Sequence, residues 1–442
     1  MVMAEFLGPF ASPHSIDDGP YPRSLLELRL LALSAAIRRK PDWHLKRLNP
    51  EIVARWKEEA IAQHITPAQF QVVIDELDCY VKLRSGCIEV ADVDGVWKAP
   101  GLFSQHLTSQ FSRLVDRLSN VPDDEKDWHP GSEGKALDLL HPGLYLFVSG
   151  KTRTVDVDCD VYTSGGKPTS LPEMSRTQGR PYEYTRTNHF FSSTYQWIPT
   201  PIEVDDNKKV RFLSYINNLH PKRHAELYTV LAEILSATIP LFERVLGFLK
   251  ADRYPKIELS DFVIYDPECR SPQQEHSESD STYDERWEEY WENRPMLPIP
   301  VEKYEPIREI HPVSLKGRKL QIITKIQEIH LTPDKPFYEG GVWHVEGMAN
   351  EGIVASAIYY YDCTNVTECT LSFREAVSEP DYEQNDNRGV EAVYGLVDEG
   401  PLVQELGSVI TKAFSILTIL KRSLALCWHG PTFSSIEFPP SS

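Results

Sequence analysis

Apolar residues recur every three to four positions from Ser24 to Lys40 (SLLELRLLALSAAIRRK), which predicts an amphipathic helix. Ser24 and Glu27 are spaced as a capping box, and basic residues crowd the last turn, where they suit the helix dipole. Pro41 ends it. Asn49-Pro50 opens a second helix that runs to about Gln63, with proline at the first helical position. Thr66-Pro67-Ala68-Gln69 is another capping box and starts a third, ending near Leu83. These three predict an N-terminal helical region over residues 1–90, with residues 1–23 extended and Pro- and Gly-rich.

From 91 to 442 the pattern shifts toward strands. Ile88 to Ala99 reads as strand, Leu107 to Leu118 as helix, and Leu137 to Val148 ends in the strand-like LYLFV. The polar stretch 150–192 predicts a long surface loop. Ser193 to Ile198 and Lys209 to Ile216 read as strands around an Asp205-Asp206-Asn207 turn. Residues 223–249 carry the strongest helical pattern of the middle region, with Pro240 a predicted kink. Residues 265–300 are acidic and Ser/Glu-rich, and they predict a flexible insertion with one short helix from about Tyr283 to Trp291. Arg318 to Leu331 then alternates as a strand, followed by Val342 to Glu346, Ile353 to Tyr361 and Asn365 to Phe373. Successive strands with Gly and Pro turns predict an α+β chain. Its larger part is a jelly-roll or cupin-like double sheet, a double-stranded β-helix with packing helices.

Composition narrows the function classes. The 442 residues carry 46 basic and 65 acidic side chains, a formal charge of −19, which argues against nucleic-acid binding and against adhesion to anionic membranes. Seven cysteines without a CxxC pair fit neither a disulfide framework nor a structural zinc site. The first residues lack a basic segment followed by an apolar run, and no stretch approaches the ~20 uninterrupted apolar residues of a membrane span. An intracellular, cytoplasmic protein is expected.

The candidate chemistry lies in FYEGGVWHVEGMANEGIVASAIYYYD, Phe337 to Asp362. In a strand, alternate residues share a face, so His344 and Glu346 would stand side by side and could hold one divalent ion. A second histidine would complete the 2-His-1-carboxylate set of non-haem Fe(II) oxygenases. About two His-x-acid triplets are expected by chance in this composition, and the chain has three. His224/Glu226 lies in a helical pattern, where residues two apart diverge, and His276/Glu278 lies in a polar run. His129 and His141 each adjoin a proline in a loop and read as local hydrogen-bonding residues; His220, beside a helix start, reads as a cap or packing residue. A half-exposed strand pair is the bland alternative for His344 and Glu346.

The blocks DGPYPRSLLELRLLAL, KPDWH, DWHPGS, SYINNLHP, KRHAELY, LFERVL, KGRKLQIITKI, WHVEGMANEGIVASAIYYYD and PLVQELGS, in this order from about Asp18 to about Ser408, resemble the large fungal family catalogued as domain of unknown function 4246. That resemblance implies a likeness to Fe(II)/2-oxoglutarate oxygenases of the double-stranded β-helix type. It puts His344 and Glu346 at the first two iron-ligand positions. The family pattern departs after Lys412, where a Gln-His-Arg triplet and a later basic strand are expected but ITKAFSILTILKRSLALCWHG stands instead. The last barrel strands are therefore expected to be missing. His429, the one histidine after Glu346, is the remaining candidate for the third ligand, and Arg422 is a candidate partner for the far carboxylate of 2-oxoglutarate. Lys325, on a neighbouring strand, is an alternative carboxylate partner, or else an outward lysine on an edge strand. Tyr338, Trp343 and Asn350 would line the mouth. The expected function is an Fe(II)/2-oxoglutarate-dependent oxidation of a small-molecule or peptide substrate. The rival is a non-catalytic binding or scaffold protein, or pseudoenzyme, on the same fold.

Overall fold

A computed structural model describes residues 21–155, 166–170, 192–251, 256–257, 265–297, 310–348, 351–366, 369–380, 386–397, 403–411, 416–419 and 426–433. The N-terminal helices α1 (Leu25–Arg38), α2 (Trp43–Lys46), α3 (Pro50–Ile61) and α4 (Pro67–Leu83) bury one core that includes Ile37, Trp43, Trp56, Phe70 and Leu77. Asn49 caps α3, and Thr66 with Gln69 forms a complete capping box on α4. The box expected on α1 is half made. Ser24 accepts from the Glu27 amide, but the Glu27 carboxylate instead accepts from the amides of Lys256 and Ile257. A tertiary partner has taken it.

The chain continues through a hairpin, β1 (Glu89–Val90) and β2 (Trp97–Lys98), to helix α5 (Gln105–Ser119), β3 (Ala136–Leu140), β4 (Phe147–Val148), β5 (Arg153–Thr154), β6 (Lys167–Pro168) and β7 (Tyr195–Gln196). β8 (Thr200–Val204) and β9 (Val210–Phe212) form a hairpin across the Asp205 turn. The first of the two strands expected around that turn thus lies at Thr200–Val204, beyond 193–198, in a segment that Pro199 and Pro201 make look unlike a strand. Pro201 has no N–H to donate, but its carbonyl accepts from the Leu213 amide.

Helix α6 (Ala225–Lys250) is long and apolar enough to cross a membrane by length and composition, but here its face of Leu231, Ile234, Leu235 and Ile239 joins the main core with Ile202, Val204 and Ile322. Pro240 removes one hydrogen bond of the ladder without ending the helix. Gly247 is required where the segment carrying His311 crosses α6, because a methyl group there would collide with the His311 carbonyl. Just beyond, Val313 donates to the Glu243 carbonyl (2.8 Å) and Leu315 to the Glu243 carboxylate (3.0 Å). Helix α7 (Asp280–Asn293), capped by Ser279, is longer than the short helix expected in the acidic insertion.

The remaining elements are β10 (Lys319–Thr324), β11 (Ile326–Ile329), β12 (Ala355–Ile358), β13 (Cys369–Ala376), α8 (Asn387–Tyr394), β14 (Val403–Thr411), β15 (Ile416–Ile419) and β16 (Leu426–Phe433). The central antiparallel sheet has the order β12-β15-β10-β8-β9, β14-β13-β16 form a second, and β11 pairs with β3. The result is a mixed α+β fold of small antiparallel sheets. The segment after Lys412, expected to leave strands missing, supplies β15 between β12 and β10, and β16 beside β13. Val342–Glu346, expected as a strand, is irregular loop. His344 makes an isolated β-bridge there that does not extend into a strand.

The helical and sheet parts are joined by a buried charge network. Arg23 lies 3.2 Å from Glu27 and 3.6 Å from Asp94, and its backbone exchanges two hydrogen bonds with the Gln404 side chain on β14. Lys256 contacts Glu76 (2.5 Å) and Asp94 (2.9 Å), and the Tyr80 hydroxyl donates to Asp94. Burial would push the Asp94 carboxyl up, but Lys256 and Arg23 outweigh it and hold it well below the usual carboxylate range. Glu27 goes the other way, raised by burial despite the same two cations.

Two outcomes are expected. Gly247→Ala should destabilise the fold by about 1–3 kcal/mol, read as a lower urea midpoint at unchanged slope. Asp94, depressed in the folded state, contributes stability that is fully present above the unfolded carboxylate value near about 3.9 and is lost as pH falls toward its folded value. Glu27, raised, contributes below its unfolded value and loses that contribution as pH rises through its folded value, so it does not cause acid loss. Asp94→Asn should therefore flatten the fall in urea midpoint between pH 5 and pH 2. An unchanged acid limb would contradict this.

Candidate metal centre

β10 and β11 are one extended run interrupted at Lys325. β11 pairs antiparallel with β3, Ile326 opposite Leu140 and Gln327 opposite Asp138, so Leu139 is an extra residue on β3. A bulge of this kind re-aims the side chains around it. Without it, Asp138 and His141, three positions apart, would face opposite sides. With it they come together beside Gln327, which bonds Asp138, and the charge of Lys325 reaches His141. A third segment lies alongside: the Asp138 amide donates to the Asp127 carbonyl and the His129 amide to the Ala136 carbonyl, both at 2.8 Å.

His129, Asp138 and His141 meet on this face, each offering a ligand atom within 4.8 Å of the other two. The Asp138 side chain is only 4% exposed; His129 Nδ1 lies 2.8 Å from its Oδ2, and Gln327 Nε2 donates to its Oδ1 at 2.6 Å. The His141 ring is 5.7 Å from that of His129 and 6.3 Å from Trp197, and its Nδ1 accepts from the Gly143 amide. Burial and the positive charge of Lys325 keep the His141 imidazole below its ordinary value.

The loop 341–348 supplies the other wall. His344 Nδ1 lies 2.7 Å from the Val342 carbonyl, which can only accept, so the ring proton sits on Nδ1 and Nε2 is left to face Glu346. Nε2 and Glu346 Oε1 stand 3.7 Å apart, an ion-pair separation too long for a hydrogen bond. The Glu346 side chain is 8% exposed, and its Oε1 is buried without a hydrogen-bond partner. Burial would raise the Glu346 carboxyl, but His344, Lys325 and His141 together hold it below the ordinary value. Burial would lower His344, but Glu346 and the Val342 carbonyl raise it. Gly347, at φ +73°, turns the chain after Glu346 where a side chain would meet Ile353. Glu351 then pins the loop, accepting from the amides of Trp197 (2.9 Å) and Met348 (2.5 Å).

His344 and Glu346 are thus together as expected, though on a loop. Lys325 is buried at 9% exposure and its charge reaches Glu346, His344 and His141, so the expectation of an outward edge lysine does not hold. Tyr338 is half-buried, its hydroxyl pushed up by burial and by the charge of Asp138. Trp343 lies under the Arg374 guanidinium, 3.9 Å from ring centre to Cζ. His429 is on β16, its backbone opposite Ser372 of β13. Asn350 and Arg422 lie outside the described residues. His220 accepts from the amides of Lys222 and Arg223 in the turn before α6, whose N-cap residue is His224, so it orders that turn and does not cap the helix.

His129, Asp138 and His141 form a group that sequence reasoning did not single out, while the local hydrogen bonds expected of the two histidines are present, His129 with Asp138 and His141 with the Gly143 amide. One signal was there: Asp138 is a lone charge inside the otherwise apolar run ALDLL, between two histidines.

The donor chemistry fits a divalent ion at His344 and Glu346. Ligands about 2.1 Å from a shared ion stand roughly 3–3.5 Å apart, so a shift of a few tenths of an ångström brings this pair to bonding range. A metal-bound histidine usually gives its other N–H to a carbonyl or carboxylate, as His344 does.

Fold and site define a mixed α+β protein with a part-buried cluster of imidazoles and carboxylates. The chain belongs to the family described as Protein of unknown function (DUF4246), which matches residues 67–419, and residues 9–59 match the Domain of unknown function DUF4246, N-terminal. No curated protein and no solved structure matches it.

Glu351→Ala should leave two amides without their acceptor and destabilise the protein by about 1–3 kcal/mol. Amide hydrogen exchange should rise at Trp197 and Met348 while α6 stays protected. Protection unchanged at both amides would show that Glu351 does not pin the loop.

Proposed function

We propose that the chain is an Fe(II)/2-oxoglutarate-dependent oxygenase, with a double-stranded β-helix as its framework, acting on a small molecule or peptide. The observation that carries this reading is the buried Glu346 Oε1, without a hydrogen-bond partner and 3.7 Å from His344 Nε2, whose ring keeps its proton on the far nitrogen against the Val342 carbonyl. When bound, iron with 2-oxoglutarate supplies oxidative decarboxylation coupled to oxidation of the substrate. The chain's own residues hold and orient. His344 and Glu346 bind the ion, and Glu351 keeps their loop in place. Lys325, a buried ammonium beside them, pairs with a carboxylate. Tyr338 and Trp343 border the mouth. The formal charge of −19 favours a neutral or cationic substrate inside the cell over nucleic acid or an anionic membrane.

A protonated His344 would instead pair with Glu346, and that favours a second reading, a non-catalytic binding protein on the same fold. Succinate release from 2-oxoglutarate with Fe(II) separates the two. The oxygenase reading expects release by the wild type and a loss of at least a hundredfold in His344→Ala and in Glu346→Gln. Release at blank level in the wild type, or release unaffected by both substitutions, would favour the binding protein.

A further inference from the structure

We infer that the chain holds a divalent transition-metal ion at His129, Asp138 and His141, a site separate from the His344/Glu346 pair. Two imidazoles and one carboxylate form a set that suits iron, cobalt, nickel, copper or zinc, and does not suit magnesium or calcium, which prefer oxygen ligands. The ligand atoms lie within 4.8 Å of one another on a rigid base, so small side-chain movements close them on an ion. Two of the three sit on or beside the bulged strand β3, and the third sits on the segment hydrogen-bonded to it. Nothing long or mobile has to be ordered.

The support around the ligands is of the kind metal sites use. Gln327 fixes one oxygen of Asp138 and leaves the other, Oδ2, toward His129. His129 Nδ1 and Asp138 Oδ2 stand 2.8 Å apart in a hydrogen bond that a bound ion would replace. The Asp138 carboxylate is almost fully buried, where an isolated negative charge is costly, and a cation offsets that cost. Occupancy asks one adjustment of His141: its Nδ1 accepts the Gly143 amide, and that hydrogen bond breaks or the ring turns over when the imidazole ligates. The Gly143 amide is therefore a local reporter of loading. The Lys325 ammonium, whose charge reaches His141, opposes a second cation and so weakens the site without removing it.

The test uses the full chain and Co(II), followed by calorimetry, visible absorption and the Gly143 amide resonance, in four proteins: wild type, Asp138→Asn, His129→Gln, and the double variant His344→Ala/Glu346→Gln. His129, with a side chain 39% exposed, tolerates replacement even if Asp138→Asn were to perturb the fold, which circular dichroism would reveal. The expected result is at least a tenfold loss of affinity at one site in both Asp138→Asn and His129→Gln, with the Gly143 shift abolished. The double variant should retain one ion and the Gly143 shift. Wild-type chain that binds no Co(II), affinity unchanged in both Asp138→Asn and His129→Gln, or all binding lost in the double variant would overturn the inference. Failure of the oxygenase reading looks different: it removes succinate release while leaving the ion at His129, Asp138 and His141 in place.

Discussion

One extended segment, 319–329, belongs to two sheets, and the rest of the described structure depends on that sharing. Its first half, β10, lies inside the central sheet between β15 and β8, with Ile322 against the core built on α6. Its second half, β11, leaves that sheet and pairs with β3. The polar residues of the pocket are therefore fixed by the same chain that anchors the apolar core. Lys325 stands at the junction, which explains how a lysine comes to be buried there.

The bulge at Leu139 does for the site what the junction does for the fold. A regular strand alternates its faces, and β3 without the extra residue would send Asp138 and His141 apart. One inserted residue turns both toward His129, Lys325 and the loop of His344 and Glu346. Lys325 brings a positive charge to Glu346, and each carboxylate also has an imidazole beside it, His344 at Glu346 and His129 at Asp138. A buried carboxylate without such neighbours would be expensive. The Glu346 oxygen and the Asp138–His129 pair are the two places where a cation would add most.

A second, structural, group of charges fastens the N-terminal helices to the remainder. Arg23 with Glu27, Asp94 and Lys256 come from three separate stretches, and Gln404 on β14 ties the start of α1 to the second sheet. Glu27 was diverted from its cap by this network. The cap costs a fraction of what an unpaired buried charge would, so the tertiary contact prevails.

What the residues determined by themselves was local. The helices 24–40, 49–63, 66–83 and 223–249 were legible because caps, prolines and a period of 3.6 act within one turn of the chain, and α1, α3, α4 and α6 match them within a few residues. The pairing of His344 with Glu346 was legible because they stand two positions apart, although the strand expected to carry it is a loop. What tertiary structure alone decided was everything that rests on distant partners: the burial of Lys325, the strand at Pro201, and above all the meeting of His129, Asp138 and His141 with Gln327. A strand's register and a bulge are set by the neighbouring strand, here almost two hundred residues away in sequence, and no local pattern encodes that neighbour.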